Sequence, residues 1–294
     1  MSWEQTALQA LISSLFLGSI YTLMSIGLNL SFGVMRIGNL MQGIFVILGS
    51  YMSYWLYTLY GVDPLITAGI SMVVLFALGV FIHKIVLHRV SGAPLMTSFL
   101  LTYALAILFE NIIALAWGYD TRTIFVNYLR TPINIGGVSF SFARIVILIP
   151  AVIVTALFFV FLKYSWTGKA WRAVSESRED ALLVGVNENR IHMMAYGVSA
   201  AMSGMAGAFL CILFAFSPGQ HFVWTSIMLI VVTFGGLGSI IGTVIAAFIL
   251  SSTEIWVGFF ISPLTASLLC FLFLIVVLLI RPRGLLGKGN RDGD

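Results

Sequence analysis

Residues 191–253 read IHMMAYGVSAAMSGMAGAFLCILFAFSPGQHFVWTSIMLIVVTFGGLGSIIGTVIAAFILSST, and no Asp, Glu, Lys or Arg interrupts them. A helix needs about 20 apolar residues to cross roughly 30 Å of hydrocarbon. This stretch therefore holds more than one crossing, with Gly235-Gly236-Leu237-Gly238-Ser239 as its internal break. The same absence of charge recurs from Gln5 to Met35, Ile37 to Val62, Val90 to Phe109, Ile145 to Leu162 and Ile255 to Ile280. Charged residues make up 9% of the 294-residue chain, against roughly 25% in ordinary soluble domains. With a mean hydropathy of +1.05, the chain has too few polar side chains to cover a water-exposed surface.

The expected fold is all-α: one domain over residues 1–294, a polytopic transmembrane helical bundle of about eight to ten membrane helices. The coarse spans are about 7–30, 40–60, 64–83, 98–118, 145–163, 191–215, 222–234, 240–259 and 263–280. The Gly-rich break between the seventh and eighth allows one element that dips in and returns. The first span lacks the basic start of a signal peptide and outruns its usual apolar core, so it reads as a retained helix. Cys211 and Cys270 lie in apolar segments and read as small hydrophobes, not as a disulfide or metal pair.

Basic residues concentrate in cytoplasmic loops. Arg36, Lys84, Arg89, Lys163, Lys169, Arg172, Arg178, Arg190, Arg281, Arg283, Lys288 and Arg291 gather on one face, twelve of the fifteen Lys and Arg. Only Arg122, Arg130 and Arg144 lie on the other. The C-terminus is expected in the cytoplasm and the N-terminus outside. Orientation accounts for the net charge of +4, which leaves nucleic-acid binding without support. The outer segment Tyr119–Ala143 suits a short hairpin or a surface helix. There is no P-loop and no dinucleotide fingerprint, and the four histidines have no metal-ligand spacing.

The inward loop from Lys163 to Arg190 is the most informative segment. Ala170, Trp171, Ala173 and Val174 form an apolar stripe at helical spacing, flanked by Lys169 and Arg172. Ser177, with Asp180 three residues on, resembles a capping box that starts a second short helix at Arg178, and Gly185 is placed to end it. On physical grounds alone this is either a compact knob for a partner or an interfacial amphipathic loop.

The run Gly168-Lys169-Ala170-Trp171-Arg172-Ala173-Val174, followed by Ala181-Leu182-Leu183-Val184-Gly185-Val186-Asn187, resembles the coupling segment of ABC-importer permeases. More narrowly, it resembles LivH-type permeases of branched-chain (hydrophobic) amino acid uptake systems. Gly27–Val34, Ser199–Gly207, Gly235–Gly242 and Ile280–Gly287 match further marks of that family in its order. One departure stands out: where the family commonly reads Asn-Phe-Ala-His-Gly, this chain has Asn39-Leu40-Met41-Gln42-Gly43.

The resemblance implies a pore subunit that hydrolyses nothing itself and binds no cofactor, in the bacterial inner membrane. ATP and Mg would belong to two cytoplasmic ATPase subunits. A second permease subunit (LivM-like, or a second copy) and an extracytoplasmic solute-binding protein would complete the importer. Gly168, Lys169, Ala170, Arg172, Ala173, Ala181, Leu182, Gly185 and Asn187 would couple to the ATPases. Urea, short amides or aromatic acids are alternative solutes. A secondary transporter or channel is the competing class, though it would more often show paired broken helices in two related halves. An intramembrane enzyme would need a convergent catalytic set that the sequence lacks.

Intramembrane polar residues are costly and usually face a cavity or another helix. Asn29, Ser31, Asn39 and Gln42 cluster where the first helix gives way to the second; they line the path, or Asn39 caps the turn. Glu110 and Asn111 mark either a polar contact within the bundle or an outer-leaflet position near water. Gly235, Gly236 and Gly238 would offer backbone to the solute if the break lies at membrane depth. Glu254 reads as interfacial near the outer end of its span. His192 reads as a solvated boundary residue, and His221 as part of an outer loop open to a delivery protein. Ser199, Ser203 and Gly207, spaced by four, permit close helix approach.

Overall fold

The structure is a computed structural model that describes residues 3–35, 37–90, 94–126, 131–135, 138–280 and 284–287. Arg36, Arg130, Arg281, Arg283, Lys288 and Arg291, and the Gly136-Gly137 turn, lie outside the described residues. Eleven α-helices are present among the described residues. They are α1 (Trp3–Met35), α2 (Gln42–Tyr60), α3 (Pro64–Ile85), α4 (Leu95–Trp117), α5 (Phe142–Tyr164), α6 (Trp166–Glu176), α7 (Arg178–Leu183), α8 (Glu188–Leu213), α9 (His221–Gly235), α10 (Ile240–Phe260) and α11 (Pro263–Ile280). Six of them, α1, α3, α4, α5, α8 and α10, are long and apolar enough to cross a membrane.

Local chemistry sets the helix ends. Asp63 accepts from the Leu65 N–H and Pro64 opens α3, where a proline loses no helical hydrogen bond. Gly61 closes α2 with φ 66°, its N–H donating to Tyr57 and the Val62 N–H to Leu56. Ser239 caps α10 through the Gly242 N–H, and Asn187 caps α8 through the Arg190 N–H. The outer segment forms a hairpin, β1 (Pro132–Ile135) antiparallel to β2 (Val138–Ser141), with Pro132 opposite Ser141 and Ile135 opposite Val138.

Helices that are apolar all round belong inside, and α1 and α8 are those helices. They pack on one another, with α8 also against α2 and α3 and α1 against α10. By contrast, α4 and α5 turn rows of exposed apolar side chains outward, among them Leu100, Leu108, Leu115, Ile153 and Leu157. Small residues allow the close approaches in the interior. A Cβ at Gly79 would sit 2.8 Å from Ala200, one at Gly207 would strike the Val46 carbonyl, and one at Gly49 the Gly204 carbonyl. The Ser199–Ser203–Gly207 row is thus a packing surface between α8, α1 and α2.

The chain threads between two ends. At one end His83 of α3 lies beside His192 of α8, and the described basic residues Lys84, Arg89, Lys163, Lys169, Arg172 and Arg190 follow the helix termini there. The hairpin lies at the other, with Arg144 donating to Ser13 and Trp3 stacked on Phe260.

Candidate functional site

Among the described residues, irregular backbone enters the bundle before α2 and again before α9, and the glycine break is neither of these. Gln42, the first residue of α2, bonds Ser199 and Ser203, and Ser199 lies about 16 Å along α8 from Glu188. Residues 37–41 therefore run non-helically within the bundle. Likewise α9 begins at His221, whose carbonyl abuts Gly43, after the chain has descended through residues 214–220. Non-helical backbone at such depth survives only if its polar groups find partners in protein or a cavity.

Here side chains supply those partners. The Leu40 N–H donates to Thr102 Oγ1 at 3.1 Å, and Thr102 donates to the Gly38 carbonyl at 3.0 Å. The Met41 N–H donates to Asn39 Oδ1, and the Gly43 N–H to Thr225 Oγ1. Gln42 is saturated: Nε2 donates to the Ser199 carbonyl and Ser203 Oγ, while Oε1 accepts from Asn39 Nδ2 and Ser199 Oγ. Ser31 donates to Ser199 Oγ at 3.0 Å, and the Tyr196 hydroxyl reaches Asn39 Oδ1 at 3.3 Å. The result is a buried polar seam joining α1, α2, α4, α8 and α9. Asn29, Ser31, Asn39 and Gln42 are all buried, so in this conformation they hold helices together.

Asn29 belongs to a neighbouring junction. Its Nδ2 donates to the Ser239 carbonyl and Thr243 Oγ1, and its Oδ1 accepts from the Gly238 N–H. That contact fixes the position of the Gly-rich break. It lies beside Gly33, in the last turns of α1, and against the terminal segment: the Leu285 and Leu286 N–H groups donate to the Phe234 and Gly235 carbonyls. Gly236, at φ 102°, faces the backbone of Leu286 and Gly287. The break is thus a turn at the basic end. The dip expected there occurs instead before α2 and before α9.

Glu110 Oε2 lies 3.7 Å from His221 Nδ1, with both side chains largely enclosed. His221 is therefore an internal residue at the start of α9, correcting its expected place in an outer loop: the backbone turn at Pro218 folds it inward, and the Pro218 carbonyl holds its ring. Asn111, one residue on and so about 100° around α4, is exposed and donates back to the Ile107 carbonyl. It takes no part in the seam. His192 is also buried rather than solvated, enclosed by His83 and by Glu188 at 3.6 Å.

The knob folds as two capped helices. Ser165 accepts from the Gly168 N–H, and Ser177 from the Asp180 N–H. Gly185, at φ 81°, donates to the Leu182 carbonyl while the Val186 N–H reaches Ala181, a paired ending that satisfies the last carbonyls. Trp171 is fully buried against Phe158 and Phe161 of α5, anchoring α6 to the bundle. Gly168 lies so close to Leu162 that a Cβ there would sit 2.6 Å from its backbone. Ala181 is buried, Ala170 and Ala173 are half-buried, and Lys169, Arg172 and Asn187 are exposed. The tip presents Leu182, Leu183 and Val184 at 51%, 85% and 76% exposure. Leu183 and Val184 were not singled out from sequence, although three adjacent apolar residues in a charged loop are a readable signal. Thr102, Tyr196 and Thr225, the remaining members of the seam, carry no such signal.

Comparison with known proteins agrees with this architecture. The chain is 27% identical to the LivH high-affinity branched-chain amino acid transport permease of Escherichia coli (strain K12), with 96% of each chain covered. It is 26% identical to the BraD permease of Pseudomonas aeruginosa, again over 96% of each. A shorter match, 32% identical over 123 residues, spans 40% of this chain and 28% of the LivM permease of Escherichia coli (strain K12). No solved structure matches the chain at a significant level. The family model described as the permease component of the branched-chain amino acid transport system matches residues 10–279, and the chain belongs to that family.

Proposed function

We propose that this chain is a pore-forming permease subunit of an ATP-driven importer in a bacterial inner membrane, carrying branched-chain or other hydrophobic amino acids. The basic end faces the cytoplasm and the hairpin end faces outward, in keeping with the placement of Lys and Arg. A second permease, LivM-like or another copy, completes the pore. Two ATPase subunits hold ATP and Mg and perform the hydrolysis, and an extracytoplasmic binding protein delivers the solute.

The observation that carries this reading is the knob. Its helices are rigidly capped and anchored by Trp171, yet its tip exposes Leu182, Leu183 and Val184 to water. An exposed apolar cluster on a rigid support is what a partner's groove takes up. The chain then passes from the tip through Val186 into α8, the helix that bears Ser199 and Ser203. Displacement of the knob by ATPase closure thus acts directly on the seam, a two-state element biased by nucleotide.

The test is Leu183→Asp with Val184→Asp in the complex coexpressed with its ATPases. Membrane insertion should be unchanged, while ATPase copurification and uptake of leucine in proteoliposomes fall at least tenfold. Normal copurification and uptake would refute the coupling assignment.

A further inference from the structure

Between Arg190 and Arg281 the sequence contains one charged residue, Glu254. It lies on α10 less than two turns before the end of that helix. Tyr21 of α1 donates its hydroxyl to Oε2 at 2.7 Å. Side chains on a helix lean toward its N-terminus, which is why a residue in the middle of α1 reaches a carboxylate toward the hairpin end. Among the described residues no Lys, Arg or His pairs with Glu254. A carboxylate held in a membrane helix without a cation is expensive, and such residues mark solute pathways or partner contacts.

Glu254 also lines a shallow groove of about 400 Å³, shared with Ile255, Gly258 and Phe259 of α10 and Ala266 of α11. That volume falls in the range of small-molecule sites. Gly258 keeps the wall low: a Cβ there would meet nothing within 4 Å. The groove therefore offers one negative charge, positioned by a phenol, beside an apolar wall.

We infer that Glu254 and this groove receive the solute on its way in, the carboxylate taking the ammonium group and Ile255 and Phe259 the hydrocarbon part. The inference rests on the importer reading above and adds the residue that recognises the charge. Tyr21 is a positioning residue: it occupies one carboxylate oxygen and leaves the other for the ligand.

The experiment uses the assembled complex in proteoliposomes, with leucine as the probe. Glu254→Gln keeps an oxygen that accepts from Tyr21 and replaces the carboxylate oxygen left for the ligand with an uncharged amide NH2. Leucine uptake should fall at least tenfold, while subunit assembly and the ATP hydrolysis stimulated by the binding protein stay within twofold of wild type. Glu254→Asp should retain uptake to within about threefold, and Tyr21→Phe should fall between the two. If Glu254→Gln instead loses the second permease subunit, the groove holds a cation of that partner and the inference is overturned. If uptake is unchanged while wild type transports leucine, Glu254 has no part in recognition and the importer reading stands. If the wild-type complex transports no amino acid, both fall together.

Discussion

Replacing Gln42 with Leu removes the hub of the polar seam while keeping its volume nearly constant. Four hydrogen bonds are lost, to the Ser199 carbonyl, Ser203 Oγ, Asn39 Nδ2 and Ser199 Oγ. Interhelical hydrogen bonds inside membrane proteins average about 0.6 kcal/mol each, which gives about 1.8 kcal/mol for the three that run to α8. The orphaned groups are not equal. Ser199 Oγ still has the Gly27 carbonyl, and the Ser199 carbonyl keeps its place in the α8 ladder. Among the described residues Asn39 Nδ2 donates to Gln42 alone, so the substitution leaves it unpaired, and a buried unpaired donor costs about 1–3 kcal/mol. The two estimates agree on a loss of about 1–3 kcal/mol. Little hydrophobic gain offsets it, since the unfolded chain stays in detergent, whose hydrocarbon is as apolar as leucine.

The assay is reversible unfolding of the purified chain in mixed micelles titrated with SDS, followed by tryptophan fluorescence. Gln42→Leu should shift the unfolding free energy by the amount above, and Ser203→Ala, which removes one bond, by about 0.6 kcal/mol. A Gln42→Leu variant within about 0.5 kcal/mol of wild type, the usual span of neutral surface changes, would show that packing alone holds residues 37–42 inside the bundle.

Two further outcomes follow from the geometry. Single cysteines at Tyr119 and Leu183, both exposed, in a variant lacking Cys211 and Cys270, should react with impermeant reagents from opposite sides of the membrane; labelling of both from outside in sealed cells would overturn the orientation. Gly236→Val places a branched side chain at φ 102° against Gly287 and Leu286, so folded yield in detergent and leucine uptake should fall in equal proportion, whereas lost uptake with normal folded yield would return the glycine turn to the solute's path.

Charge-free runs made the long helices legible, because a membrane span must exclude Asp, Glu, Lys and Arg whatever it packs against. The knob was legible for a different reason: Ser177, Asp180 and Gly185 act within a few residues of one another, and local capping needs no tertiary information. The depth of the helix junctions was not. The expected span of about 40–60 lies within two residues of α2 (Gln42–Tyr60), but nothing in the hydropathy of residues 37–62 says that the irregular stretch before Gln42 lies within the bundle. What permits that stretch is Thr102 on α4 and Thr225 on α9, 62 and 185 residues from their partner Leu40.

The glycine break shows the converse. Three glycines in an apolar run correctly signalled a turn, and the spans flanking it, about 222–234 and 240–259, match α9 and α10 to within a residue or two. Glycine is required there because Gly236 and Gly238 adopt φ 102° and 79°, a region closed to most side chains. But depth is a property of the partners. Asn29 binding Gly238, and residues 284–287 lying on Phe234–Gly236, hold the turn at the basic end. Uncharged polar side chains at one end of each contact and bare backbone at the other leave almost no trace in hydropathy. For the same reason a seam built from Asn, Gln, Ser, Thr and Tyr can be bonded within the bundle and leave the charge-free runs of the sequence unbroken.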